Sequence, residues 1–119
     1  MAGHVKLELI HFPPEYKPES PTDIRAKPLD MHTVQLEYTL PKTSDAAPIT
    51  EILLEYRPKG QSRWFSLTVP VANTATISKL EPGTEYEFRV SCSNVAGAGQ
   101  PSRVVKAQTM EAPNVDSCS

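Results

Sequence analysis

The stretch LEPGTEYEFRVSCSNVAGAGQPS, Leu80 to Ser102, carries the densest structural signal in the chain. Tyr86, Phe88, Val90 and Cys92 fall on one parity, and Glu85, Glu87, Arg89, Ser91 and Ser93 on the other. Successive side chains of a strand point to opposite faces, so this segment has one apolar and one wet face. Such a strand belongs to an antiparallel sheet lying over a core, not to a parallel sheet covered on both sides. Pro82-Gly83 ahead of it is a turn dipeptide. Asn94 to Pro101 behind it holds two glycines and a proline and reads as a loop.

The same alternation recurs upstream. Pro21 to Lys27 reads as a first strand, with a proline at its start that suits a sheet edge. Val34, Leu36, Tyr38 and Leu40 alternate with Gln35, Glu37 and Thr39 in a second, and Pro41 to Pro48 is a polar loop. Ile52, Leu54 and Tyr56 form the apolar parity of a third, with Glu55 and Arg57 opposite, and Pro58 to Gln61 is a turn. Phe65, Leu67 and Val69 are assigned to the core face of a fourth, ended by Pro70. Thr74 to Leu80 is a fifth, Tyr86 to Ser93 a sixth and Arg103 to Thr109 a seventh. Seven short strands separated by regular turn signals predict an all-β, two-sheet antiparallel sandwich. Twelve prolines against 5 glycines in 119 residues agree with that and disfavour long helices.

Residues 21–110 are therefore read as one domain, residues 1–20 as an N-terminal strand and linker, and residues 111–119 as a C-terminal tail or linker. Val5 to Phe12 alternates like a strand, and Pro13, Pro14 and Pro18 then form a stiff spacer. That strand either adds to the edge of the main domain or ends a preceding one. No signal-peptide pattern opens the chain, so a secreted parent would make it an excerpt. A net charge of -2 gives no basic field for nucleic acid, and no apolar run is long enough for membrane insertion. The two cysteines make no disulfide framework: Cys92 reads as a small buried hydrophobe and Cys118 lies in the polar tail.

Several of these segments resemble the fibronectin type III family. APITEILLEYRP, Ala47 to Pro58, is similar to that family's third strand. Leu80, Pro82, Thr84 and Tyr86 match its L-x-P-x-T-x-Y signature. Val90, Cys92 and Asn94 match V-x-A-x-N with cysteine in the alanine place, and Gly97, Gly99, Pro101 and Ser102 match G-x-G-x-P-S. Tyr38 stands where the family usually carries a core tryptophan, and its hydroxyl is expected to reach the rim of the core, because a buried hydroxyl needs a partner. The turn before Tyr86 lets its ring pack inward while its hydroxyl bonds the preceding corner, the tyrosine-corner arrangement. Tyr38, Tyr56, Leu80, Pro82, Tyr86, Val90 and Cys92 are thus the structural positions.

Catalysis finds no support. His4, His11 and His32 occupy separate segments, and no zinc spacing, nucleophile elbow or phosphate loop is present. Glu85 and Glu87 share a strand's solvent face and read as solubilising charge. The chain is read as non-enzymatic, with no cofactor and no metal.

Two regions are candidates for partner binding. Asn94, Val95, Ala96 and Gly97 sit in an end loop, where sandwiches concentrate recognition. Some family members display Arg-Gly-Asp at this loop for integrins; Ala96-Gly97-Ala98-Gly99 lacks it. Arg57, Lys59, Arg63 and Trp64 form the second region. With Phe65, Leu67 and Val69 inward, the indole faces out, either as an interface anchor or lying over its basic neighbours. A protein partner is expected there, and an acidic or sulfated glycan is the other chemistry the basic residues suit. The third and fourth strands also offer an edge for strand addition if that edge is free.

The resemblance implies an interaction module of an extracellular cell-adhesion molecule or cell-surface receptor. A spacer in an intracellular, muscle-type scaffold is the alternative. Asn73, Asn94 and Asn114 all fail the Asn-x-Ser/Thr sequon, which is compatible with either compartment.

Overall fold

The computed structural model describes residues 17–42 and 48–112. In chain order the strands are β1 (Thr22–Pro28), β2 (Val34–Thr39), β3 (Glu51–Pro58), β4 (Phe65–Val69), β5 (Thr74–Ile77), β6 (Glu85–Asn94), β7 (Gly97–Ala98) and β8 (Val105–Gln108). They form two antiparallel sheets. One has three strands in the order β1-β2-β5, and the other has five, ordered β4-β3-β6 with β7 and β8 both on the far side of β6. This is the all-β sandwich that the alternation predicts. The strand beyond the expected seven is β7, a two-residue bridge inside the loop after Asn94. The strand read at Val5 to Phe12 and the tail carrying Cys118 lie outside the described residues.

The core follows from strand parity. On the inner face of the larger sheet Ile52 stands opposite Cys92, Leu54 opposite Val90 and Tyr56 opposite Phe88. On the smaller sheet Val34 stands opposite Ile77 and Leu36 opposite Ala75. Ile24, Val34, Leu36, Ile52, Leu54, Phe88, Val90 and Cys92 are fully buried between the sheets. Each large apolar side chain among them contributes about 1.5–3 kcal/mol relative to exposure.

Four details depart from the sequence reading. Phe65 and Leu67 do point to the inner side, opposite Tyr56 and Leu54, but they remain 50% and 41% exposed. The smaller sheet ends at β5, so β4 overhangs it and only Val69 packs against the core. Ser91 and Ser93, assigned to the wet face, are buried. β5 stops at Ile77, short of Leu80, because Lys79 adopts a positive φ of 63° that breaks the alternation and lets Leu80 turn inward. The last strand begins at Val105, not Arg103. Ahead of it the Ser102 amide reaches the Val90 carbonyl at 2.7 Å, and its hydroxyl accepts the Val90 amide at 3.0 Å.

The corner ahead of β6 is closed by hydroxyls. The Glu81 amide donates to the Tyr86 phenolic oxygen at 2.9 Å. Thr109, also buried, donates to the Glu81 carbonyl at 2.5 Å and accepts the Thr84 amide at 3.0 Å. Gly83 takes a φ of 58° in this turn, and its amide bonds the Met110 carbonyl at 3.0 Å. Tyr38 behaves differently. Its oxygen does not reach the rim: it is buried with no hydrogen-bond partner among the described residues. β2 is the central strand of its sheet, so the side chain enters the middle of the layer. Burial, with a smaller push from Cys92, raises the phenol to about 12, and burial raises the Cys92 thiol to about 11.

The two tyrosines should therefore respond oppositely to loss of the hydroxyl. Tyr86→Phe costs about 1–2 kcal/mol, since it orphans the Glu81 amide, whereas Tyr38→Phe is neutral or stabilising by up to about 1 kcal/mol. Equal destabilisation of both in urea titrations would contradict this account.

The raised values also set an alkaline limit. Unfolded Cys92 and Tyr38 lose protons from their usual 9.0 and 10.0, ahead of the folded forms at about 11 and about 12. The unfolded chain then binds fewer protons, so stability falls as pH climbs from 9.0 through about 12. Urea midpoints across that range should drop less steeply in a Cys92→Ala/Tyr38→Phe variant than in the wild-type chain. Identical slopes would show that neither group is responsible.

Candidate functional site

The register of β3 and β6 builds the outer face of the larger sheet. Glu55 stands opposite Arg89, and Arg57 opposite Glu87. The Arg57 Nε donates to Glu87 Oε1 at 2.7 Å and the Arg89 Nε to Glu55 Oε1 at 2.8 Å. Two directly opposed ion pairs of alternating sign thereby form a square across the two strands. Trp64, arriving from the turn before β4, lies across this square. The Arg57 guanidinium sits 4.1 Å from the indole ring centre and that of Arg89 4.2 Å. Aromatic faces attract cations through their quadrupole, by about 0.5–1 kcal/mol for each exposed contact. Arg57 also donates to the Ser62 carbonyl at 3.2 Å, tying the turn to the sheet.

The structure thus brings together Arg57 and Trp64 as the sequence suggests, and adds Glu87, which the sequence reading left as solubilising charge, and Glu55 and Arg89, which it placed only on the wet face. The missed signal is the alternation of sign on the outward parity, Glu55 then Arg57 on one strand and Glu87 then Arg89 on the other, which pairs only in this antiparallel register. Lys59 extends the lattice, its Nζ lying 3.5 Å from Glu85. Arg63 is exposed and makes no ion pair among the described residues.

The loop candidates lie elsewhere. From Glu87 to Asn94 the strand advances seven residues, roughly 24 Å, so the two regions do not share a surface patch. Asn94 is buried and its Oδ1 accepts the Ala96 amide at 2.7 Å, a turn-forming role. Gly97 has a φ of 121° and lies beside Lys17. Gly99 is needed for close approach, since a Cβ there would overlap the Pro18 carbonyl. Val95 alone of the four projects freely, at 64% exposure.

Among the described residues no cluster of three or more His, Cys, Asp or Glu side chains could hold a metal. No helix among them is long and apolar enough to cross a membrane. A concavity of about 330 Å³ lies beneath the β4 overhang, with Tyr56, Phe65, Leu80 and Tyr86 in its wall.

The profile of the Fibronectin type III domain matches residues 19–108. The chain belongs to the fibronectin type III family. Its likeness to adhesion and muscle proteins is even. Neural cell adhesion molecule 1 of Gallus gallus is 33% identical over 90 residues, covering 71% of this chain and 8% of that protein. Fast-type myosin-binding protein C of Gallus gallus is 32% identical over 87 residues, again covering 71% of this chain and 8% of that protein. The fibronectin type III module here thus spans a small fraction of the length of both relatives. Among solved structures, domains A168-A170 from titin superpose with a TM-score of 0.71 at 25% identity, covering 79% of this chain and 32% of that one.

Trp64 is the sole tryptophan, so its removal also removes the tryptophan fluorescence, and unfolding is followed by circular dichroism. Trp64→Ala should cost about 1–2 kcal/mol through loss of two cation–π contacts. A double-mutant cycle between Trp64→Ala and Arg89→Ala should return a coupling of about 0.5–1 kcal/mol. Strict additivity would mean that the stacking contributes nothing.

Proposed function

We propose that this fibronectin type III module is a non-catalytic protein–protein interaction unit of a modular extracellular cell-adhesion molecule or cell-surface receptor. The observation that carries this reading is the pre-ordered Trp64 face. The indole lies against two guanidiniums that are each already paired to a carboxylate. A rigid aromatic anchor with an unpaired arginine beside it costs little entropy to bind, and interface energy concentrates on such Trp and Arg side chains. The three cations Arg57, Lys59 and Arg89 are offset by Glu87, Glu85 and Glu55. That balance favours a protein partner over an acidic or sulfated glycan, for which Arg63 is the remaining positive charge of the patch. Val95, at the other end of β6, is a secondary contact point.

A spacer role in an intracellular, muscle-type or extracellular scaffold is the second reading. Likeness to a myosin-binding protein as close as that to an adhesion molecule favours it.

The full-length protein, tagged beside this module, separates the two. Antibody staining of intact, unpermeabilised cells is the expected result, and staining only after permeabilisation would replace the adhesion reading with the intracellular scaffold. On the surface route, the soluble 119-residue chain should bind intact cells of the same tissue. Arg63→Ala with Trp64→Ala should weaken that binding by roughly tenfold or more, as hot-spot residues do. Undiminished binding by a folded double variant would remove this face from the site.

A further inference from the structure

The larger sheet has one edge that nothing guards among the described residues. Edge strands expose unpaired amides and carbonyls, and proteins usually blunt them with charges, prolines, bulges or shortness. β1 has all but the last: its register shifts between Thr22 and Arg25, Asp23 takes a φ of 54°, and Asp23, Arg25, Lys27 and Pro28 line it. β5 is four residues long and runs into the left-handed Lys79. β8 is as short and carries Lys106. β4, Phe65-Ser66-Leu67-Thr68-Val69, has no charge, no proline and no bulge, and pairs β3 without interruption. Its Phe65 and Leu67 are large, apolar and about half exposed, because the smaller sheet does not reach over them.

We propose that β4 is a self-association edge, pairing antiparallel with β4 of a second copy of this chain about a two-fold axis at Leu67. The sequence of the strand selects that occupant. Reversed on itself, Leu67 meets Leu67, Phe65 meets Val69 and Ser66 meets Thr68. Apolar groups then face apolar groups on one side of the continuous sheet, and hydroxyls face hydroxyls on the other, the pairings that stabilise antiparallel neighbours. Pairing with β1 of another copy would instead set apolar side chains against Arg25 or Lys27 and would not close. Charge does not oppose the two-fold. Arg63 faces position 71 of the other copy, so the two Arg63 side chains lie about eight residues, roughly 27 Å, apart, beyond the screening length of about 8–10 Å. Pro70 has no amide and limits the ladder to the five residues of β4. The buried area is accordingly at the low end for specific interfaces, under about 1,200 Å², and the pair is weak. Tethering in one assembly or on one surface raises effective concentration to about the millimolar range, where weak pairing operates. This goes beyond the partner-binding reading and holds in either compartment.

Sedimentation equilibrium of the 119-residue chain tests it. The weight-average mass should be monomeric near about 10 µM and move towards twice that value near about 1 mM, the range for a small interface. Leu67→Lys and Leu67→Glu, both on an exposed side chain and checked for folding by circular dichroism, should each stay monomeric. An equimolar mixture of the two should regain the dimer, because the axis sets the two substitutions face to face. A wild-type chain monomeric at 1 mM, or variants that dimerise as well as wild type, would overturn the proposal. So would a mixture that stays monomeric, which excludes the register.

Discussion

A slip of one residue between β3 and β6 would exchange the two faces of the larger sheet. Leu54 and Val90 would leave the core and Glu55 and Arg89 would enter it, at the cost of both lost apolar burial and desolvated charge. The register observed satisfies both faces at once: Ile52, Leu54 and Tyr56 against Cys92, Val90 and Phe88 inside, Glu55 and Arg57 against Arg89 and Glu87 outside. The inner pairs supply most of the free energy, and exposed ion pairs typically supply less than about 1 kcal/mol each. The outer pairs nevertheless discriminate against the slipped alternative and fix the two guanidiniums against which Trp64 rests. The candidate surface is thus a consequence of the core register.

Where regular pairing runs out, hydroxyls take over. β6 extends beyond β8, and Ser102 satisfies the Val90 amide there. The chain reverses between β5 and β6, and Tyr86 and Thr109 satisfy the freed amides of Glu81 and Thr84. Each bond contributes about 1 kcal/mol net, but leaving the buried amide unpaired would cost more. The small polar residues flanking β6 are therefore part of its frame, which explains why so much of the opening stretch is structural and so little of it is displayed.

The fold was legible because its decisive strands alternate cleanly and are bounded by Pro-Gly, Pro-Lys-Gly and Gly-Gln-Pro turns. The misread burials share one cause: parity tells which way a side chain points, and not what stands in front of it. Phe65 and Leu67 point inward but meet no opposing sheet, whereas Ser91 and Ser93 point outward and are covered. Tyr38 points inward from a central strand, and no rule of period two could show that its hydroxyl would stop short of any partner. At the candidate site, Arg57 and Trp64 were visible as neighbours in sequence. Arg89 and its carboxylate partners became visible only once strand order made β3 and β6 adjacent.

Neutralised charge on the Trp64 face and absent charge on β4 point to different modes of recognition within one module. On the first, any incoming carboxylate or sulfate must compete with Glu55 or Glu87 for a guanidinium already held at 2.7–2.8 Å. Selectivity there falls to the shape of the indole and to Arg63. On the second, main-chain hydrogen bonds provide the affinity and side-chain alternation the register. The two surfaces meet at the Trp64–Phe65 step, so a partner large enough to cover the indole would crowd a strand added beside Phe65. The physical prediction of that adjacency is competition: occupancy of the Trp64 face disfavours pairing at β4, and pairing at β4 disfavours the partner by the same factor.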